Sequence, residues 1–129
     1  MIRSLLFVVS LIALPSVAGA QAKDSLPSGV TPAMVAEGKT LYGGAGLCAA
    51  CHGAAGKGVQ GLGADLTDAK WLHSDGSFEA VAKQILTGVT PEKSSTGVAM
   101  PAKGGGQLSD AQVRAVAAYV WTLGRAAAK

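Results

Sequence analysis

Apolar residues recur at helical spacing in three segments of the chain, and the first segment covers residues 31–42. Thr31 can cap this helix and Pro32 can take its first position, and two glycines follow the helix and are expected to end it. Gly38 lies in the middle, where glycine costs ~1 kcal/mol relative to alanine. It indicates either a close helix crossing or a tolerated weakness. The predicted inward face carries Val35, Gly38, Leu41 and Tyr42.

The other two helical segments have both start and stop signals. Ser77 can cap the second helix and Gly88 can end it. Its predicted core positions are Phe78, Val81, Ala82 and Ile85. The third helix begins with a capping box formed by Ser109 and Gln112, and it is predicted to end at Gly124. Its apolar stripe consists of Val113, Val116, Ala117 and Val120.

The segments between these helices have no helical periodicity. Residues 53–66 form a glycine-rich stretch, and residues 90–106 are expected to form a long surface loop. No strand-like alternation and no internal repeat is found. The sequence therefore predicts a small all-α fold with long loops.

The N-terminus has the pattern of an export signal. Arg3 precedes an apolar run, Leu5–Leu14, and a small-x-small site follows at Ala18–Ala20. The run is shorter than the ~20 residues that span a bilayer. We interpret it as a cleaved signal peptide, with an uncleaved membrane anchor as the alternative. The predicted organisation is a signal peptide over 1–20, a flexible lead-in over 21–30, one domain over 31–125 and a tail over 126–129.

Composition narrows the range of functions. The net charge of the chain is +3, and removal of Arg3 with the signal would leave about +2, which is too small to indicate nucleic-acid binding. The chain has 18 glycines and only 5% aromatic residues, so its core should be modest. Small domains of this kind often need a disulfide, a metal or a cofactor. We expect a monomer that contains such a group.

The stretch "GLCAACHG" carries the clearest chemistry. On a helix, Cys48, Cys51 and His52 share one face, so two thiols and an imidazole can address one flat ligand. This is the signature of covalent haem c attachment, in which both thiols form thioethers and the imidazole binds the iron. A redox dithiol would need a βαβ context, and a zinc site would need a second Cys/His pair. A disulfide between the two cysteines would close only a tiny loop.

A second axial ligand has to come from elsewhere in the chain. The predicted mature chain has two methionines, Met34 in the first helix and Met100 in the loop sequence "GVAMPAKGGG". A methionine on a helix usually fills the core, whereas Met100 lies in a polar, glycine-rich loop beside Pro101. Met100 is therefore predicted to be the sixth ligand. His73 is the alternative, and bis-histidine ligation would lower the reduction potential.

Taken together, "CAACH", the downstream "AMPAKG" and the terminal helix "AAYVWTLG" resemble a class I, single-haem c-type cytochrome. The resemblance covers about residues 31–125 and extends to the haem domains of cytochrome c subunits in haem-copper oxidases. It implies the small cytochrome c fold, with three to five short helices around one covalent haem and crossing terminal helices. It also implies thioethers at Cys48 and Cys51, His52 as the proximal ligand and Met100 as the distal ligand.

The resemblance implies further roles. Gly38 should meet the last helix at the crossing, with Tyr42 near Tyr119. In the family, Gly-Pro-x-Leu follows the haem motif and its proline carbonyl accepts from the histidine. Here the chain has Gly-Ala-Asp-Leu, so the Ala64 carbonyl would take this role without the stiffness of proline. Trp71 is expected either to bond a haem propionate or simply to pack.

The leading hypothesis is an exported, periplasmic carrier of single electrons between redox proteins. One alternative is a haem subunit bound to a membrane oxidase or dehydrogenase. Another is a haem enzyme or sensor with a labile sixth ligand, although a di-haem peroxidase would need a second attachment motif. Lys57 and Lys103 are expected either to flank the haem edge and steer an acidic partner or to be ordinary solvated lysines.

Overall fold

A computed structural model describes residues 25–126, which form an all-α domain. The predicted signal peptide, residues 21–24 of the predicted lead-in and residues 127–129 of the predicted tail lie outside the described residues. In chain order the elements are α1 (Pro32–Gly43), α2 (Ala49–His52), α3 (Phe78–Thr87), a tight turn of 3₁₀ type (Ala102–Gly105) and α4 (Asp110–Ala126).

The predicted start signals of α1 and α3 are confirmed. Thr31 Oγ1 accepts a hydrogen bond of 3.2 Å from the amide of Met34, which satisfies one amide that has no partner within the helix. Ser77 Oγ does the same for the amide of Ala80 at 3.3 Å. Both helices stop where glycine follows, and Gly88 has the positive φ of +74° that other residues rarely adopt.

Helix α4 begins as predicted and ends later than predicted. The capping box is complete, because the Ser109 amide donates to Gln112 Oε1 at 2.9 Å and the Gln112 amide donates to Ser109 Oγ at 3.2 Å. The predicted end at Gly124 is wrong, since the helix continues to Ala126. Gly124 is buried and lies against the ring of Trp71, where a side chain would collide. This glycine serves close packing rather than helix termination.

Helices α1 and α4 cross in direct backbone contact. A Cβ atom at Gly38 would overlap the carbonyl oxygen of Ala115, so only glycine fits at this point. Tyr42 and Tyr119 flank the crossing with their ring centroids 5.3 Å apart and an interplanar angle of 70°, an edge-to-face arrangement. The crossing and the tyrosine pair that the resemblance implied are both present.

The core lies between α4 and the inner faces of α1 and α3. Val30 is buried, and Leu26 packs against the same cluster. Both residues belong to the predicted lead-in, so part of that segment contacts the domain, and its flexibility stays a prediction. The buried apolar side chains of the three longer helices are Tyr42, Phe78, Val81, Ala82, Ile85, Val113, Ala115, Val116, Ala117, Ala118, Tyr119, Val120 and Trp121.

The loops contain more regular backbone structure than their composition suggested. Residues 25–126 contain no β-strand, but isolated bridges pair Val59 with Gly63 and Val89 with Met100. The expected loop over residues 90–106 contains the tight turn Ala102–Gly105, in which Lys103 and Gly104 have positive φ. Within the described residues, no helix has both the length and the apolar character that a membrane crossing requires.

Candidate functional site

The Cys-x-x-Cys-His motif begins at Cys48, the N-cap residue of α2, and ends with this single helical turn at His52. Cys48 is buried and its thiol donates to the Gly46 carbonyl at 3.3 Å, whereas Cys51 is half-buried. Burial raises the pKa of the Cys48 thiol, and the neighbouring Cys51 adds to this rise, so the thiol form is favoured. Cys48, Cys51 and His52 all line one large cavity. This short helix therefore directs all three side chains toward the same space.

His52 is oriented by the loop that follows it. Its Nδ1 lies 2.8 Å from the carbonyl oxygen of Ala64. Because a carbonyl only accepts, this contact places a proton on Nδ1, so in the neutral imidazole Nε2 carries the free lone pair. Nε2 forms no hydrogen bond within residues 25–126, and the side chain lines the cavity. This is the tautomer that a metal-binding histidine needs.

Polar side chains secure the loop around Ala64. Asp65 Oδ1 accepts from the amide of Thr67 at 2.6 Å and from its hydroxyl at 2.7 Å. Lys57 Nζ donates to the same hydroxyl at 2.6 Å. These hydrogen bonds from Thr67, with the nearby charge of Lys57, hold the pKa of Asp65 below its usual value. The carboxylate is therefore charged at neutral pH.

Met100 is held by backbone pairing. Its amide donates to the Val89 carbonyl at 2.9 Å, and the Val89 amide donates to the Met100 carbonyl at 2.8 Å. Gly88, at the end of α3, lies so close that a Cβ there would overlap the Met100 carbonyl oxygen. The side chain of Met100 is half-buried and lines the cavity, whereas Met34 packs on the core and does not line it.

The cavity is large and mostly apolar. Its mouth is open to solvent, and about 1130 Å³ of space free of protein atoms lies in and just outside it. A large planar cofactor with apolar faces fits this lining, and the two thiols, the imidazole and the thioether fit haem c. The apolar part of the wall is formed by Leu47, Leu62, Leu66, Leu72, Val81, Ile85, Val89, Val98, Val116 and Val120.

His73 and Trp71 also line the cavity. His73 is exposed at the cavity wall. The structure therefore brings both candidate sixth ligands, Met100 and His73, to the same cavity. The ring of Trp71 packs against Gly76 and Gly124, which supports the packing role. Its indole N–H has no hydrogen bond within residues 25–126, and a bond to a haem propionate stays a prediction.

The two lysines expected near the haem edge are both engaged within the chain. Lys57 binds Thr67, as described above. Lys103 Nζ lies 3.1 Å from Asp110 Oδ1 and donates to the Leu108 carbonyl at 2.8 Å. Asp110 partly neutralises the charge of Lys103, which weakens its contribution to long-range steering. Neither lysine lines the cavity, so the structure gives no support to the steering role.

Within the described residues, no three His, Cys, Asp or Glu side chains are grouped to hold a metal ion, as a zinc site would require. The sequence profile of the family described as Cytochrome c matches residues 35–124. The chain belongs to the cytochrome c family. Residues 35–124 therefore form an electron-transfer domain with a covalent haem c, and Cys48 and Cys51 fit its attachment motif.

Curated relatives include subunits of one oxidase type. The cytochrome is 38% identical over 97 residues to a Cbb3-type cytochrome c oxidase subunit CcoP from Cereibacter sphaeroides, covering 71% of this chain and 28% of that protein. It is 40% identical over 97 residues to a Cbb3-type cytochrome c oxidase subunit FixP from Azorhizobium caulinodans, covering 74% and 29%. It is 42% identical over 78 residues to the Cbb3-type cytochrome c oxidase subunit FixP from Bradyrhizobium diazoefficiens, covering 60% of this chain and 24% of that protein.

The chain thus spans less than a third of the length of these relatives. No solved structure matches it significantly.

Sequence reasoning missed the polar contacts that hold the site loops. The Asp65-x-Thr67 spacing is typical of a turn in which an aspartate bonds a backbone amide two residues later, so that signal was present. The Val89–Met100 pairing had no such signal, because a single pair of bonded residues produces no alternation.

Proposed function

We propose that this cytochrome is exported, that haem c is attached at Cys48 and Cys51, and that His52 and Met100 are its axial ligands. The observation that carries this proposal is that one large, mostly apolar cavity has all four side chains in its wall. No other methionine among residues 25–126 reaches that wall, since Met34 packs on the core.

When bound, haem c supplies the one-electron ferric/ferrous couple. The chain's part is to hold both ligands and to exclude water. The Ala64 carbonyl fixes the orientation of the His52 ring, and such a hydrogen bond makes a histidine a stronger metal ligand. The Val89 pairing fixes the backbone of Met100, whose side chain lines the cavity. A thioether opposite a histidine raises the reduction potential.

The first experiment is a mass and a visible spectrum of the protein exported from its cell. We expect the mass of residues 21–129 plus one haem and a low-spin, six-coordinate spectrum. A mass without haem, with two free thiols, would refute attachment at Cys48 and Cys51. A mass that retains residues 1–20 would refute cleavage and support the anchor.

The second experiment assigns the sixth ligand. We expect Met100→Ala to give a high-spin spectrum and to lose the sulfur-to-iron absorption band, while the matched variant His73→Ala keeps both features. If Met100→Ala stays low-spin and His73→Ala does not, the ligand is His73.

We further propose that the protein is a carrier rather than an enzyme. A sixth position filled by Met100 leaves no open site on the iron for a substrate. The ferrous protein should therefore not bind carbon monoxide at neutral pH, and Met100→Ala should bind it. Rapid binding by the unmodified protein would instead favour a sensor or an enzyme.

A membrane oxidase is the partner that the comparisons favour. The relatives are named as oxidase subunits, and side chains that line the cavity also remain exposed at its opening, namely Leu47, Leu62, Leu72 and Val98. If the chain is a bound subunit, it should stay with a membrane oxidase through high-salt washes. Release as a monomer at high salt would support a diffusing carrier.

A further inference from the structure

The carbonyl that orients His52 belongs to a residue with little stiffness of its own. Ala64 O lies 2.8 Å from His52 Nδ1. A proline at this position would fix its own φ near −65°, whereas alanine leaves φ free. The contact therefore has to be secured by the neighbours of Ala64.

The residues after Ala64 provide one anchor. Thr67 is 8% exposed and is the only buried polar side chain among residues 25–126. Its hydroxyl donates to Asp65 Oδ1 at 2.7 Å and accepts from Lys57 Nζ at 2.6 Å, so it is fully satisfied on both sides. The Thr67 amide donates to the same carboxylate oxygen at 2.6 Å. Hydrogen bonds to charged partners are the stronger kind.

The backbone provides a second anchor on the other side of Ala64. Gly63 packs against the carbonyl group of Cys51, where any side chain would collide. The Leu66 amide donates to the Gly56 carbonyl at 2.7 Å, which ties the loop to the segment just before Lys57. Ala64 is thus held between α2 and the segment that carries Lys57.

We propose that Asp65, Thr67 and Lys57 form a positioning clamp. Their mutual hydrogen bonds hold the loop so that the Ala64 carbonyl stays within hydrogen-bond distance of His52 Nδ1. The inference rests on the proposed ligation of haem iron by His52. In this arrangement the clamp takes over the stiffness that a proline would give. Because a hydrogen bond to the second ring nitrogen makes a histidine a stronger metal ligand, the clamp favours the ferric state and lowers the reduction potential.

The test is Thr67→Val in the haem-loaded protein, since valine keeps the shape of threonine and removes the hydroxyl. We expect the reduction equilibrium to shift toward the ferrous state by about threefold, or ~30 mV for a one-electron couple. The Nδ1 proton of His52, followed by NMR, should exchange with solvent faster. Thr87→Val is the matched control, because its hydroxyl bonds the Lys83 carbonyl on α3 and Thr87 does not line the cavity.

Rescue separates positioning from general stability. The Ala64 amide makes no hydrogen bond within residues 25–126, so Ala64→Pro removes no bond. In the Thr67→Val background, Ala64→Pro should restore the potential and the slow exchange. If Thr67→Val shifts neither quantity, or if proline fails to restore them, the clamp does not act through Ala64 and the proposal is overturned.

Lys57→Met guards against a Thr67 variant that does not fold, since Lys57 is exposed. It should speed the exchange of the His52 Nδ1 proton by a smaller amount than Thr67→Val, and an unchanged exchange rate would also contradict the clamp. Failure of the proposed function has a different signature. In that case the unmodified protein itself would lack the low-spin, histidine-ligated spectrum.

Discussion

Helix α4 has two sides that are packed in different ways. On one side the backbone of Ala115 touches Gly38 of α1, and no room is left there for a side chain. On the other side Val116 and Val120 line the cavity, whose remaining wall comes mainly from loops. At the crossing, side chains and backbone of the chain itself form the whole interface. On the cavity side, the apolar wall needs the cofactor to be covered. One helix therefore joins a self-sufficient interface to one that depends on haem.

The two sides also use glycine differently. At the crossing, Gly38 is helical, and its missing side chain lets two backbones touch. On the cavity side, Gly88 combines a close approach with a φ of +74°. Tyr42 connects the two sides, because its ring packs at the crossing and its hydroxyl donates to the Gly53 carbonyl beside His52 at 2.8 Å. Comparing the loss of unfolding free energy for substitutions on each side should show which side contributes more to stability.

The largest effect is expected when the haem attachment is removed. Cys48→Ala combined with Cys51→Ala should abolish covalent haem and remove most of a stability that for small domains is ~5–15 kcal/mol. Amide exchange should then rise on the cavity side, over residues 90–106, before it rises at the crossing. Equal loss of protection in α1 and α4 would show that the crossing also depends on haem.

Next in size is a substitution at the crossing itself. Gly38→Val should lower the free energy of unfolding by about 3 kcal/mol or more, because the added side chain meets backbone that cannot move aside. Denaturant unfolding of the holoprotein measures this. Gly43→Ala is the matched control, since a Cβ there meets nothing within 4 Å, and it should be neutral or gain up to ~1 kcal/mol. Equal losses in both variants would argue against a close crossing.

A smaller effect is expected where the cavity side holds Met100. Gly88→Ala should cost about 2 kcal/mol, because alanine is strained at this φ and its Cβ would displace the Met100 carbonyl. The sulfur-to-iron band should weaken as well. Gly97→Ala has the same φ of +74° but meets nothing within 4 Å, so it isolates the backbone strain. If both variants weaken the band equally, the contact with Met100 is irrelevant to ligation.

The smallest effect should come from the ion pair between α3 and α4. Arg114 donates to both carboxylate oxygens of Glu79 at 2.8 and 2.7 Å, and these bonds hold the pKa of Glu79 below its ordinary value of 4.5. Because the folded pKa is lowered, the stabilisation is present above pH 4.5 and is lost as pH falls through the lower folded pKa. Glu79→Gln should therefore reduce stability slightly at about pH 7 and leave it unchanged at about pH 2, as denaturant titrations at the two pH values can test. An equal loss at both pH values would assign the effect to something other than this charge.

The sequence predicted the helices because their signals are local. A cap such as Ser77, the Ser109–Gln112 box and the 3.6-residue stripe of α4 are all written within a few neighbouring residues. The prediction was wrong at Gly124, because the sequence alone does not distinguish a glycine that ends a helix from a glycine that makes room for an aromatic ring. Trp71, which lies 53 residues earlier (124 − 71), decides between the two.

The candidate site divides in the same way. The spacing of Cys48, Cys51 and His52 was enough to indicate the lower half of the cavity, because all three residues lie within one helical turn. Met100 could be reached only by elimination, because its partner Val89 belongs to a long-range pairing. The hydrogen bonds of the Thr67 hydroxyl were not predicted, because they depend on how the loop folds back onto Lys57.

The contact between Gly38 and Ala115 also bears on how fast the protein folds. It joins residues 77 positions apart (115 − 38), so nearly the whole domain lies inside one closed loop. Closing such a loop costs about 4 kcal/mol of chain entropy from its length alone. Contacts of such high sequence separation form slowly, whereas the local turns of α1 and α4 form in microseconds or less. A cofactor attached inside the loop gives the enclosed chain a surface on which to collapse, so maturation should accelerate the step in which the two ends meet.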